Sequence, residues 1–533
     1  MAQLTVKEAL RRCRAAWAKK DNWTSTLGDA MRIVHPHRDG FHSYAPGQKK
    51  EGAGKVWDAT AGQAAIRGAN QMMGLHPAFE DWIVLEPGPA AEFGLPPDQL
   101  HNLRIELQGL AKQCNALVQM GDFASAAQEM WIDWLYSTGA MTIDGSTDPF
   151  GPLAIFRSVP LSEFMIEEGP NGSVDTWHRR FKIPGRSIKL SWPDAEIPEG
   201  LARRIANRPE EEVELFEITY RDYDEDKGRY RYEVFAKKGA EEARLVERQE
   251  RTSRWLTPRN TKVAGEVLGR GQLLTAMPDI RTLNTIVEIA MRAATMQLLG
   301  IYTSDDDAIN ENTIRLRPGT IIKVRRNGGP QGPSLARLDS PDVRMDFAQA
   351  LVEQLRSSIK AGLFDDGLPP QAGAVRSATE IVQRMRQQAV DLGGVYGRIV
   401  SEFVQPLVQR LVDILGRRGV IKTNFDIDQF VIRVRVSSQV ARAQAFAEVE
   451  QIVQWLEIII GTGGKEALLV TVMAEEIYGH IANALGVPQK LVRAPAEQKK
   501  MLGKLQAMAQ QQIESQPANE TIPPRQAQGD LAA

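Results

Sequence analysis

Three histidines, His35, His37 and His42, fall close together in a 533-residue chain that has seven histidines and two cysteines. They are the densest set of groups suited to metal binding or proton transfer. A zinc or other transition-metal sphere needs a matched set of His, Cys or carboxylate ligands at fixed spacing. No His-Glu-x-x-His pattern, cysteine or acidic pair accompanies them, so no metal site is expected. Asp305-Asp306-Asp307 could attract calcium, but the glycine and glutamate of an EF-hand loop are missing, which leaves a solvated acidic turn. Gly461-Thr462-Gly463-Gly464-Lys465 resembles a phosphate loop only in part. Ile459 replaces its first glycine, Glu466 stands where a magnesium-binding hydroxyl belongs, and a helix precedes it. Gly269-Arg270-Gly271 lacks the third glycine of a dinucleotide fingerprint, because Leu274 occupies that place. No catalytic constellation and no cofactor site is expected.

Two other groupings carry charge without chemistry. Arg315, Arg317, Lys323, Arg325 and Arg326 lie in a β-like insert with no acid among them. They read either as edge charges that protect an exposed strand or as a tip facing a polyanion or a protein partner. Leu363 to Val375 holds Asp365, Asp366, Gly367, Pro369, Pro370 and Gly373, a loop stiffened by its prolines and hinged at its glycines.

Whole-chain charge limits what these groups can do. Sixty-five Lys+Arg against 67 Asp+Glu give a net charge of −2, so tight nucleic-acid or membrane-surface binding has no global electrostatic basis. The length allows about three or four domains. Cys13 and Cys114 cannot form a disulfide framework, which suits a reducing, cytosolic setting. The longest apolar run, Thr282 to Tyr302, carries Glu288 and Arg292, so no membrane span is expected, and the N-terminus lacks the apolar core of a signal peptide.

The elements that position these groups follow from periodicity. Helix is expected from Val6 to Trp17, from Asp58 to Leu75 and from Phe123 to Tyr136, where Phe123, Ala127, Met130, Trp131 and Trp134 share one face. Short strands are expected at Ala154–Phe156, Phe164–Ile166, Val213–Tyr220 and Arg229–Phe235, with a Gly169-Pro170-Asn171-Gly172 turn leading to His178–Phe181. Together these make an antiparallel module. Pro278 and Asp279 suit a first helical turn. Ile280, Leu283, Val287, Ala290, Ala294 and Leu298 then form one apolar stripe, and Ile286, Ile289 and Met296 a second, with Gly300 as the stop. A helix apolar on two sides needs two neighbours, which a ring of identical subunits supplies. Thr313 to Arg326 reads as turn and strand. Ser340-Pro341 opens a helix stepping through Phe347, Leu351, Leu355 and Ile359 to Gly362. Ser377 and Glu380 form a capping box ahead of a long helix that ends near Leu415, bent at Gly393-Gly394 and at Pro406. Phe430 to Val436 reads as a strand, Ser437 to Leu485 as helical, and the Gln-rich segment from about Ala494 as a fraying helix and disordered tail.

The order of these parts resembles the head-to-tail connector, or portal, proteins of short-tailed phages. The resemblance is carried by Leu392-Gly393-Gly394-Val395-Tyr396, Glu402-Phe403 and Pro406-Leu407, with Ala378-Thr379-Glu380-Ile381 ahead of them. It is carried also by Gly269-Arg270-Gly271 with Asp279 to Asn284, by Trp57, Ala65, Gly68, Leu75, Pro77 and Trp82, and by Glu497 to Lys500.

The resemblance implies an α+β, mainly helical portal fold with wing, stem, clip and crown regions. By position it assigns residues 1–276 to the wing, 277–301 and 341–362 to two stem helices and 302–340 to the clip. Residues 363–376 become the tunnel loop, 377–436 the long wing helix and strand, 437–495 the crown and 496–533 a partly disordered tail. Ile286, Ile289, Phe347 and Leu351 would make stem contacts between subunits. The five basic residues would meet partners at the clip. Asp365, Asp366, Gly367, Leu368, Pro369, Pro370, Gln371, Gly373 and Arg376 would face the channel, the two aspartates repelling DNA phosphates. The implied protein is no enzyme. It is a dodecamer at one capsid vertex, assembled in the host cytoplasm, that passes double-stranded DNA non-specifically and docks the terminase large subunit and later tail adaptors. Major capsid and scaffolding proteins are its other partners. A tail adaptor or another virion structural protein, or a cytosolic helical enzyme, are the alternatives.

Overall fold

The computed structural model describes residues 5–41, 56–223 (except 75, 78–79, 147–149), 229–304 (except 239–240, 300), 335–338, 345–365, 393–421, 432–436, 448–462 and parts of 477–504. The fold is α+β. α1 (Val6–Val34) runs well beyond the Val6–Trp17 stretch that periodicity suggests. Its start is set by a capping box in which Glu8 N–H donates to Thr5 Oγ1 at 3.4 Å and Thr5 N–H donates to Glu8 Oε2 at 3.0 Å. A 3₁₀ turn (Pro36–Arg38) follows, then α2 (Thr60–Gly74), β1 (Ile83–Pro87), α3 (Pro89–Gly94), α4 (Pro97–Met120) and α5 (Phe123–Tyr136). α5 has the bounds its periodicity predicts, and the five residues of its apolar face are buried.

The expected antiparallel module is present and larger than the sequence indicates. β2 (Met141–Gly145) pairs with β3 (Ala154–Ser158). β4 (Phe164–Glu168) and β5 (Val174–Pro184) follow, then α6 (Ser187–Ser191), α7 (Glu199–Asn207), β6 (Glu212–Arg221), β7 (Tyr230–Lys238), β8 (Glu241–Glu250) and β9 (Trp255–Leu256). Strands β4 to β8 form a five-stranded sheet in sequence order, and β9 joins β2 in a second sheet. Gly172, at φ +71°, closes the turn between β4 and β5 and donates its N–H to Gly169 O at 3.0 Å. Alternation decides which side chains go to which face. Val213 and Leu215 of β6, with Tyr232, Val234 and Ala236 of β7, pack under Ile188, Trp192 and Leu201. Phe216, Ile218, Tyr220 and Phe235 point the other way, against Ala9, Leu10 and Cys13 of α1. A sheet covered on both faces buries strands that the β-branched runs only partly reveal, such as β8, where Leu245 and Val246 stand together between charged residues.

α8 (Gln272–Leu299) leads to β10 (Ile301–Ser304), which pairs with β11 (Leu335–Leu338) before α9 (Met345–Gly362). α9 packs against α8 and also meets α2. The segment from α10 (Gly393–Ile399) through α11 (Gln405–Arg417) is helical but not uniformly α. Val400–Val404 is a π-helical turn, and Gln405 N–H reaches back to Val400 O. Pro406 follows at once. It has no N–H for the carbonyl of Glu402, so the widened turn falls where an α-helical ladder would have been broken. β12 (Ile432–Val436) pairs with β1, Ile83 opposite Val436. A further helix covers 448–462, so the glycine run at 461 is entered from a helix, as expected. Two compact units result, residues 1–82 with 114–425 and residues 83–113 with 426–533. Among the described residues no helix is long and apolar enough to cross a membrane.

Candidate functional site

The pair of helices α8 and α9 is the part of the chain on which the sequence places subunit contacts, and its base is built from backbone. Gly271 sits directly before α8, accepts from the N–H of Leu274 and Thr275, and donates its own N–H to Tyr136 O at 3.0 Å. A Cβ on Gly271 would lie 2.0 Å from Leu135 O, and one on Gly269 would lie 2.6 Å from Asn260 N and 2.9 Å from Ser137 O. Only glycine allows that approach. Gly269-Arg270-Gly271 is therefore a packing motif. Buried Asn260 completes the joint, donating from Nδ2 to Trp134 O at 3.1 Å and to Gln272 Oε1 at 2.5 Å.

Here the structure corrects the helix boundary. The helix starts at Gln272, not near residue 277, and Pro278 lies inside it. An interior proline costs about 3 kcal/mol. Burial of Leu273, Met277, Ile280 and Leu283 along the same face offsets that cost and carries the helix backward to its glycine. Beyond Leu283 the environment changes. Ile286 is half-buried, while Ile289 is 61% exposed and Met291 56% exposed. Leu351 on α9 is half-buried; Phe347 lies within α9, with its side chain outside the described residues.

The segment entering α2 straps the two helices together. Asn284 Oδ1 on α8 accepts from the N–H of Trp57 at 2.7 Å and of Asp58 at 3.3 Å. Arg356 on α9 donates to Asp58 Oδ2 from Nε at 3.0 Å and Nη2 at 2.7 Å. Burial opposes the charge on Asp58, yet Thr60 and Arg356 hold the carboxyl below its ordinary range. Ser358 Oγ donates to Asp279 Oδ2 at 3.3 Å across the pair.

After α9, the side chain of Asp365 is 2% exposed and lies 3.3 Å from Arg67 Nη1 of α2, an ion pair within the subunit. Asp366, Gly367, Leu368, Pro369, Pro370, Gln371, Gly373 and Arg376 lie outside the described residues, as do Arg315, Arg317, Lys323, Arg325 and Arg326.

Groups that could do acid–base or nucleophilic work are engaged elsewhere. His35 is buried, with Nδ1 2.8 Å from Tyr136 Oη and Nε2 3.0 Å from Gly62 O, and burial pushes its imidazole down to about 4. His37 stacks edge-on against it, and His42 is outside the described residues. Cys13, His178 and Glu167 form a chain that looks catalytic, Sγ to Nδ1 at 3.1 Å and Nε2 to Oε1 at 2.9 Å. Burial pushes the thiol up to about 12, and the sulfur is enclosed between α1 and the sheet, so it is neither ionised nor reachable. Arg12 closes the chain by donating to Glu167 Oε2.

The residues that sequence reasoning missed are charged and buried. Arg259 joins Glu402 of the π turn to Glu168 of β4, and Arg398 donates to Asn260 O. Arg410 of α11 donates to Glu250 Oε2 at 2.8 Å, and Arg254 to Glu250 Oε1 at 2.6 Å. Burial works against ionising Glu250, but Arg254 and Arg410 bring it down to about 2. Glu402 stood in one of the motifs that carried the phage resemblance; Arg259, Arg254 and Arg67 had no signal in the sequence.

The arrangement is that of a protein built to hold position: a strapped helix pair, a glycine joint and buried ionic clamps. The family model described as bacteriophage head to tail connecting protein matches residues 6–492. A curated relative, the probable portal protein of Bordetella phage BPP-1, is 27% identical over 289 residues, which cover 52% of this chain and 50% of that protein. The chain thus spans about half the length of the curated relative it matches. A solved structure of the virion of a native gene transfer agent particle aligns over 80% of this chain and 90% of its own, at 11% identity and a TM-score of 0.31. The match across nearly the whole chain places this protein in the family of bacteriophage head to tail connecting proteins, which are structural components of the phage particle.

Proposed function

We propose that the chain is the portal subunit of its phage, twelve copies forming a ring at one capsid vertex through which double-stranded DNA is packaged and ejected. α8 and α9 are the stem, the insert between them the clip that docks the terminase large subunit and then tail adaptors, and the surrounding regions the wing and crown that meet capsid and scaffolding proteins. It assembles in the host cytoplasm and ends in the virion. It performs no catalysis of its own.

One observation carries the reading. α8 buries its apolar residues at the base and exposes Ile289 and Met291 farther along, although α9 already packs on it. Large apolar side chains left open beside a packed helix pair need further protein against them, and a ring of copies provides it. The net charge of −2 agrees, because a conduit that neutralised many phosphates would hold DNA in place.

Negative-stain imaging of the purified protein should give rings with a central hole; a uniform monomer or dimer would overturn the proposal. Replacing Ile286 and Ile289 by Asp puts unpaired charge on the subunit interface. Native mass measurement should then find monomers or irregular oligomers. Intact rings of normal stability would remove this face from the interface.

A further inference from the structure

Where α9 ends, three consecutive residues hold two unfavourable arrangements. Phe364 has φ +61°, and it is the only non-glycine residue with positive φ among the described residues. A bulky side chain in the left-handed region is a genuine outlier, since glycine is the usual residue at that point of a helix cap. The next residue, Asp365, buries a carboxylate with little compensation. Its Oδ1 is 3.5 Å from Arg67 Nη1, and its Oδ2, 3.3 Å from the same nitrogen, accepts no hydrogen bond among the described residues. Such features persist only where the surroundings over-determine them.

The surroundings here are α2. Leu363 is buried, and its carbonyl oxygen sits so close to Gly68 that a Cβ there would be 2.2 Å away. Arg67, the neighbouring residue, reaches Asp365 while its own side chain stays 54% exposed and spans back to Gln63 at 3.4 Å. The cap itself is closed by backbone: Asp365 N–H donates to Lys360 O at 2.9 Å and Phe364 N–H to Ala361 O at 3.3 Å. Arg67 and Gly68 on one helix therefore act on three successive residues at the end of another.

We infer that the end of α9 is a latched, strained cap. The Arg67–Asp365 ion pair and the seating of Leu363 on Gly68 hold Phe364 in the left-handed conformation, and opening the latch releases the cap. Phe364 then returns to right-handed backbone, and the direction in which the chain leaves α9 changes. Because Arg67 is half open to solvent, the latch is sensitive to ionic strength and to anions that compete with Asp365. α2 thereby sets the exit of the second stem helix. This inference goes beyond the portal reading and does not depend on ring formation.

Hydrogen exchange on the full-length protein tests it at the amides of Phe364 and Asp365. Arg67→Ala should lower their protection about tenfold or more while the middle of α9 is unchanged, and raising salt should move the unmodified protein in the same direction. Phe364→Gly, which removes the conformational penalty, should restore protection in the Arg67→Ala background. If Arg67→Ala does not fold, Asp365→Asn removes the charge pairing with less loss of volume and should give the same pattern. Unchanged protection in the latch variants would overturn the latch. Lost protection that Phe364→Gly fails to restore would overturn the stored strain.

Discussion

Arg259 holds Glu402 from two directions, its backbone N–H donating to Oε2 at 2.8 Å and its side-chain Nε donating to Oε1 at 2.9 Å. Glu402 lies inside the π turn of the long helix, and Arg259 lies twelve residues ahead of Gly271, on the strand-like segment that leads to α8. One buried ion pair thus fixes the widened turn to the base of the α8–α9 pair. Removing one member of a buried pair is costly because the remaining charge is stranded. Glu402→Ala should cost roughly 3 kcal/mol, with Glu168 left as partial compensation. Glu402→Gln keeps an acceptor for the Arg259 N–H and should cost less. Urea midpoints of the two variants decide this; equal losses would mean that the charge carries the whole contribution and the retained acceptor none.

The glycine joint gives a prediction with its own control. Gly271→Ala sets a methyl, fixed in place by its own Cα, against the Leu135 backbone carbonyl, and neither can turn aside. Relief requires the helix to move, at a cost of about 2–3 kcal/mol. Gly397, in α10, has nothing within 4 Å of its missing Cβ, so Gly397→Ala should gain up to about 1 kcal/mol from helix propensity. Thermal unfolding should move in opposite directions for the two.

Acid sensitivity should come in two windows. Burial pushes the imidazoles of His35 and His76 down to about 4, His76 being packed among Trp82, Trp131 and Phe403. In the unfolded chain both titrate near 6.5. Between those values the unfolded state binds more protons, so the stability they confer is whole above about 6.5 and is lost as pH falls toward 4. The loss is roughly 1.4 kcal/mol per pH unit for each histidine. Glu167 and Glu250 are brought down to about 2 by their arginine and histidine partners against the opposing effect of burial. Their contribution disappears only as pH falls from about 4.5 toward 2. Urea unfolding at pH 7 and pH 5 should show His76→Phe losing less stability than the unmodified protein over that interval; an unchanged slope would reject a neutral, buried His76.

If the insert between α8 and α9 is a partner-docking tip, its charge acts on docking and on the salt dependence of docking. Arg325→Ala with Arg326→Ala should leave the oligomer intact and weaken binding of terminase or adaptor, most visibly at low salt. Binding measured across a salt series checks this, and identical curves for both partners would leave the edge-strand reading.

Periodicity and breakers determined the parts list. The face of α5, the antiparallel module and its Asn-Gly turn, the helix pair around a β insert and the strand at 432–436 all follow from spacing, because an amphipathic element must place its apolar residues on one side whatever it packs against. Tertiary structure decided the rest wherever the deciding neighbour is distant in sequence. The start of α8 moved back to Gln272 because Leu135 and Tyr136 lie against Gly271, which no local pattern near Pro278 reveals. The break in the long helix took the form of a π turn, although Pro406 announced only that the ladder would be interrupted there. Asp365 looked like a free loop charge until folding brought Arg67, almost three hundred residues away, beside it. Buried arginines such as Arg254, Arg259 and Arg410 read as ordinary surface charges in sequence. Their burial depends on carboxylates supplied by other strands and helices, and only the folded chain pairs them.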